Sequence, residues 1–210
     1  MRRVVCLLFL LSCYRKLATP EDDPTAVTVD EATAAIKKGS IGPDASGDST
    51  YVLVDISNGS AADRLVTVVG QLVGTDGSVV GSLGFDEIRV PTKATRTFAL
   101  VADKVAPDGA KPRLQVTHAF ALDYPPQIEI SDRQDKKGDL FVATAKARNL
   151  VERTASTVLA CTFYDASGKI LSRPFTIVEL APGIDQTLRF EGPKAAMRAV
   201  VFTGQVAFKQ

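Results

Sequence analysis

The sequence predicts an all-β protein: two tandem immunoglobulin/fibronectin-like β-sandwich domains behind an amino-terminal signal peptide and a flexible tether. Three observations lead there. Apolar residues recur at every second position in short runs, the period of strands with at least one buried face. Asn-Gly, Asp-Gly and proline-containing stretches separate the runs and carry turn chemistry. The turns and apolar pairs of residues 50–123 also return at nearly the same spacing in residues 127–210.

The clearest element is the hairpin within residues 157–182. Leu159, Cys161 and Phe163 alternate with Val158, Ala160, Thr162 and Tyr164. Asp165-Ala166-Ser167-Gly168 then supplies the turn, with Asp bonding its own backbone two residues on and Gly taking the positive-φ position. Ile170-Leu171 begins the return, Phe175 and Ile177 alternate with Thr176, Val178 and Leu180, and Ala181-Pro182-Gly183 reverses the chain.

At 210 residues, 45% hydrophobic and 23% charged, the chain has the composition of an ordinary globular protein. Its 25 basic and 24 acidic residues give a net charge of +1, so no basic field draws in nucleic acid and none is expected as a partner. Residues 1–12 read as a signal peptide: Arg2-Arg3 followed by the apolar run Val4 to Leu11, too short to span a bilayer. The ending Leu10-Leu11-Ser12-Cys13 resembles the bacterial lipobox. That resemblance implies cleavage before Cys13, lipid on Cys13 as the new amino terminus, and a lasting membrane anchor, because several acyl chains each contribute about 0.8 kcal/mol per buried methylene. Tyr14 in the next position, where an aspartate would retain the protein at the inner membrane, implies the outer membrane, facing the periplasm. Cleavage removes Arg2 and Arg3 and leaves 23 basic against 24 acidic residues, a mature net charge of −1.

Residues 13–49 read as a tether. Glu21-Asp22-Asp23 is expected to be solvated, and Gly39 to Asp48 is linker composition. A short helix is expected near 29–38, from the Thr28-x-x-Glu31 capping box and the Lys37-Lys38-Gly39 ending. Domain 1, residues 50–123, holds about seven short strands, with turns at Asn58-Gly59-Ser60, Thr75-Asp76-Gly77, Pro91-Thr92-Lys93 and Pro107-Asp108-Gly109. Domain 2 follows Tyr124-Pro125-Pro126 and spans residues 127–210. Setting Asn58 on Asn149 puts Gly77 on Gly168, Pro91 on Pro182 and Val68 on Leu159; a one-residue deletion then puts Thr97 on Thr187 and Gln115-Val116 on Gln205-Val206.

The second copy, with Cys161-Thr162-Phe163-Tyr164-Asp165 before its glycine turn and Leu180-Ala181-Pro182-Gly183 after it, resembles the FxLYD-type domain of small bacterial envelope lipoproteins. That resemblance implies an immunoglobulin-like or fibronectin-like sandwich and marks no catalytic residues to carry over.

The residues offer little chemistry. His118 is the one histidine, expected as a packed or edge residue on the apolar face of its strand, at the place of Phe208 in the other copy. Once Cys6 is removed and Cys13 is lipidated, Cys161 is the remaining thiol, with no disulfide partner; its alternation with Leu159 and Phe163 predicts a buried, inert side chain. One histidine and one free cysteine do not make a zinc site, and neither the Glu21-Asp22-Asp23 run nor Asp132 to Asp139 has calcium-ligand spacing. No phosphate loop or nucleophile elbow appears, and without tryptophan a carbohydrate-stacking platform is disfavoured. The expectation is a non-enzymatic, membrane-anchored lipoprotein of the cell envelope, without catalytic residues, cofactor or metal, binding or scaffolding an envelope protein partner. The alternative is a structural spacer or secretion-apparatus accessory.

Overall fold

The computed structural model describes residues 20–39, 49–137 and 139–209. The signal peptide, Cys13 and most of the Gly39 to Asp48 linker lie outside them. The protein is an all-β pair of sandwiches. The first is built from β1 (Val27–Lys38), β2 (Thr50–Asn58), β3 (Arg64–Val73), β4 (Val79–Val90), β5 (Thr95–Val101) and β6 (Lys111–Ala121). One sheet has the order β1-β2-β5 and the other β4-β3-β6. The second comprises β7 (Ile128–Lys137), β8 (Leu140–Asn149), β9 (Ala155–Tyr164), β10 (Ile170–Ser172), β11 (Phe175–Leu180), β12 (Asp185–Gly192) and β13 (Arg198–Phe208). Here β7-β8-β12 faces a sheet in which β9 pairs with β10 and β11 on one side and β13 on the other.

The two topologies are the same, with β4 of the first copy split into β10 and β11 in the second. Arg173-Pro174 sits at the break, where proline withholds the N–H that a continuous strand would use. Registers match through the middle: Asp55 faces Thr97 as Lys146 faces Thr187. Each copy also locks one turn with a buried asparagine. Asn58 Nδ2 donates to the Ala62 and Val90 carbonyls at 2.8 and 3.0 Å, and Asn149 Nδ2 to those of Arg153 and Leu180 at 2.7 and 3.0 Å. The Asp165 carboxylate receives the Ser167 N–H at 2.8 Å, and Gly168 has φ +84°, as the hairpin turn requires.

In its strands and boundaries the structure departs from the sequence reading in four places. The helix expected near 29–38 is the strand β1, paired with β2. Its helix-start signal is a bulge: Asp30 receives the Ala32 N–H, the Thr33 hydroxyl donates to the Asp30 carbonyl, and the Asp55 N–H donates to the Thr33 hydroxyl. Ten residues of helix gain too little alone to compete with a free sheet edge and a core for Val27 and Val29. Nor does the first sandwich begin at residue 50. Besides β1, Glu21 to Asp23 is docked on β6, with the Ala121 N–H donating to the Glu21 carbonyl at 2.8 Å and Asp22 bridging Phe120. Residues 50–123 hold five strands among the described residues, β2 to β6, and not about seven; one reason is that the apolar pairs at Val79-Val80 and at Ile88 and Val90 belong to one long strand. Finally, the last strands align differently. Val68 pairs with Val116 and Leu159 with Thr203, so Val116 corresponds to Thr203 and not to Val206. The chain from β12 to β13 is shorter than that from β5 to β6, a deletion that apolar spacing alone did not locate.

Each sandwich has its own core. Val52, Val54 and Ile56 of β2 meet Val66, Val68 and Leu72 of β3. Ala143, Ala145 and Ala147 of β8 meet Leu159, Cys161 and Phe163 of β9.

Candidate functional site: the junction of the two sandwiches

Strands β2 and β9 are buried on both faces, and their second faces meet each other's domain. Leu53, Tyr164 and Ile170 form a small core across the junction, while Ala160 and Phe202 join the core of the first sandwich. The side of the first sandwich where β4 runs beside β5 contributes to this contact. Leu83 bridges Ala102, the Ala99 N–H donates to Asp86 Oδ2 at 2.9 Å, and Asp86 turns towards the second domain.

Polar groups sit inside the contact. Asp55 is 6% exposed and its Oδ1 receives two hydroxyls, Thr97 Oγ1 at 2.6 Å and Tyr164 Oη at 3.1 Å. The two hydroxyl oxygens are 2.8 Å apart. Arg198 lies over the Tyr164 ring, 4.0 Å from its centroid. Burial raises the Asp55 carboxyl above the usual range, against the opposing pull of the Thr97 and Tyr164 bonds and the charge of Arg198. Burial, with the nearby Asp55 charge, pushes the Tyr164 hydroxyl up to about 12, so it remains a donor throughout the physiological range. Beside this triad, Arg173 is nearly enclosed and reaches Asp86 at 3.5 Å. Arg173 and Arg96 flank the Phe202 ring at 5.3 and 5.6 Å, and burial lowers both guanidinium pKa values. The Arg173 Nε and the Thr162 hydroxyl, both buried, have no hydrogen-bond partner among the described residues.

The arrangement joins the two domains. Asp55 holds donors already committed to it. A cleft of about 660 Å³ opens beside it, lined by Asp30, Thr33, Ser57, Thr95, Lys169 and Arg198.

The residues singled out in the sequence are not brought together. Cys161 is in the core of the second sandwich, where burial pushes its thiol up to about 12. His118 is on the outside of the first, its side chain half exposed, with Nδ1 2.8 Å from Asp22 and its ring stacked on Phe120. The expectation that it lies on the apolar face fails because of a bulge. Val68 faces Val116 and Thr67 faces His118, so Thr117 is extra and inverts the alternation, leaving Ala119 to enter the core. The His118 bond and the Ala119 N–H hold the Asp22 carboxyl below its usual value. Among the described residues no group of three acidic, histidine or cysteine side chains is placed to hold a metal ion, and no helix is long and apolar enough to cross a membrane. Sequence reasoning passed over Asp55, Thr97, Tyr164, Arg173 and Arg198. One signal was there: Asp55 is the lone charge in Val52-Leu53-Val54-Asp55-Ile56, where the second copy has Lys146.

Fold and junction define a pair of immunoglobulin-like sandwiches fused through a buried polar contact. No family model matches the chain, and no curated protein matches it. Solved structures similar to it include red sea bream transglutaminase, 11% identical over 84% of this chain and 31% of that one, with a TM-score of 0.27. Another is Bacteroides uniformis beta-glucuronidase 2 covalently bound to cyclophellitol-6-carboxylate aziridine, 8% identical over 88% and 31%, with a TM-score of 0.30. The chain spans under a third of either protein. Overlap this loose carries no argument about function.

Proposed function

We propose that the protein is a non-enzymatic, membrane-anchored lipoprotein of a bacterial envelope that binds or scaffolds other envelope components through its sandwiches. The observation that carries this reading is the lipobox-like Leu10-Leu11-Ser12-Cys13, followed by a folded unit that starts within a few residues of it, at Glu21 docked on β6. The short interval holds the sandwiches near the bilayer. The buried charges are supported by hydroxyls, rings and each other across the junction, which suits a body that presents surfaces and not one that turns over a substrate. The FxLYD-like hairpin of the second copy fits the same setting. The spacer reading draws on the junction, where the two sandwiches share a small core and a buried hydrogen bond.

The test is intact mass and membrane fractionation of the expressed protein beside Cys13→Ser. A lipid-sized mass increase at Cys13, with membrane partitioning that the substitution abolishes, is expected. Unmodified protein in the soluble fraction overturns the reading.

A further inference from the structure

We propose that the edge of β13 at Val201 and Thr203 is a docking site for an extended segment of a partner protein that reads apolar-acidic-apolar, its carboxylate on Arg96. Such a segment is the kind of partner that the binding reading above calls for, and it rests on that reading. Strand register leaves the edge open. The Cys161 N–H donates to the Pro174 carbonyl at 2.9 Å, on the β11 side of β9. Hydrogen-bonded and non-hydrogen-bonded pairs alternate in an antiparallel ladder, so Val201, opposite Cys161, and Thr203, opposite Leu159, turn their N–H and C=O groups away from β9. Among the described residues no strand pairs with them. The Gln134 amide closes the edge two residues earlier, exchanging two hydrogen bonds with the Ala199 backbone. Beyond it, Val201 and Thr203 border a cleft of about 660 Å³ between the two sandwiches, walled by Pro91, Pro126, Ile128 and Ile130 and reached by Arg96.

The first copy shows how such an edge is taken. Its β6 edge is covered by the chain's own Glu21-Asp22-Asp23. The Ala121 N–H donates to the Glu21 carbonyl, the Asp23 N–H to the Ala119 carbonyl, and Asp22 stands antiparallel opposite Phe120. That segment is acidic: Glu21 meets the Arg64 guanidinium at 3.1 Å and Asp22 the His118 ring at 2.8 Å. The chain that precedes β7 does not do the same for β13. Its Leu122 N–H donates to the Asp63 carbonyl and its Tyr124 carbonyl accepts from Arg89, both in the first sandwich, and Pro125 and Pro126 have no N–H to offer.

Charge selects the occupant. A partner residue opposite Phe202 lies between the two hydrogen-bonded pairs and projects its side chain to the same face as the Phe202 ring, because directly opposed residues share a face. Arg96 lies over that ring, 5.6 Å from its centroid. Its one hydrogen bond among the described residues goes to the neighbouring Thr95 carbonyl, and no carboxylate there forms an ion pair with it. Arg89, by contrast, is already held by Asp63 at 2.7 Å. Of the acidic residues beside the cleft, Asp132 accepts from Gln134 at the closed end, and Glu129 is exposed on the face of β7 opposite Ile128. A carboxylate opposite Phe202 supplies the ion pair that Arg96 lacks. The partner residues on either side of it project to the other face, where Val201 and Ile128 belong to the second core and Ile130 packs against it, so apolar side chains suit those places.

The test uses the Cys13→Ser protein without a membrane, so its outcome is independent of lipid anchoring. The probe is the synthetic peptide acetyl-Ser-Thr-Val-Glu-Val-Thr-Ser-amide, titrated to about 5 mM to cover weak strand addition and followed by the protein's amide NMR shifts. The same peptide with Gln for Glu is run beside it. Saturable shifts at Val201 and Thr203 are expected, with the Gln peptide about tenfold weaker. Arg96→Gln should make the two peptides equal. Thr203→Pro removes an N–H that β9 does not use, and proline is tolerated on an edge strand, so it should abolish binding with the fold kept. If the proline variant does not fold, the Glu and Gln peptides on wild type and on Arg96→Gln decide. No saturable shift at this edge, shifts confined to the β6 edge through displacement of Glu21-Asp22-Asp23, equal binding of both peptides by wild type, or binding that survives in folded Thr203→Pro overturns the proposal. None of these results alters the mass and fractionation outcome for Cys13.

Discussion

Replacing Tyr164 by Phe isolates the contribution of one hydroxyl to the union of the two sandwiches. The ring stays, with its place in the junction core and under Arg198, while the donor 3.1 Å from Asp55 Oδ1 is lost. Asp55 retains Thr97 at 2.6 Å, so the carboxylate is left half satisfied. A buried hydrogen bond to a charged acceptor contributes about 1.5–3 kcal/mol, and that loss corresponds to about 3–12 °C in melting temperature for a chain of this size. Equilibrium urea unfolding at pH 7 measures it. The half-buried Tyr51, changed to Phe, is the control and should shift stability by less than about 0.5 kcal/mol. Combining Tyr164→Phe with Thr97→Val should show coupling of about 0.5–3 kcal/mol, because both hydroxyls converge on one oxygen. A Tyr164→Phe loss no larger than that of the control, or strict additivity with Thr97→Val, would refute the claim that this triad joins the domains.

Three more outcomes are expected. The Asp55 carboxyl is raised in the folded state, so the native protein holds its proton more tightly and stability from this group falls as pH rises from the unfolded value of 3.8 through the folded one. Wild type minus Asp55→Asn, measured by urea unfolding across the acid range, should therefore favour wild type increasingly as pH falls; a flat or opposite difference removes this account. Asn58→Ala and Asn149→Ala each strand two carbonyls in their turns and should cost about 2–4 kcal/mol apiece, by the same unfolding assay; a loss at one site only would deny the turns their common role. Cys161 should resist thiol reagents in the native protein near pH 8 and react only on unfolding, followed by mass spectrometry of its peptide; rapid native labelling would show the thiol to be accessible.

Much of the fold could be read locally. The β9 hairpin, its Asp165 and Gly168 turn and the pairing of Asn58 with Asn149 follow from alternation and from residues with few conformational options. The candidate site could not be read this way. Asp55 and Tyr164 are more than a hundred positions apart, and neither carries a local pattern that names the other. The same two positions on the neighbouring strands show why duplication did not help: Leu53 and Ala99 face the second sandwich, whereas their counterparts, Thr144 and Arg189, face water.

The sequence alone thus determined what depends on neighbours along the chain: the all-β class, the repeated turns and the buried thiol. Tertiary structure decided what depends on competition between distant partners. Residues 29–38 have the signals of a short helix, yet the open edge of β2 offered hydrogen bonds and burial that ten isolated residues could not match. A single extra residue at Thr117 turned His118 outward, and bulges of that kind leave no fixed mark in an alternating sequence. The second face of β9 looked like any apolar strand face until the first sandwich was packed against it, because hydrophobic burial is set by what is removed from water and not by sequence position.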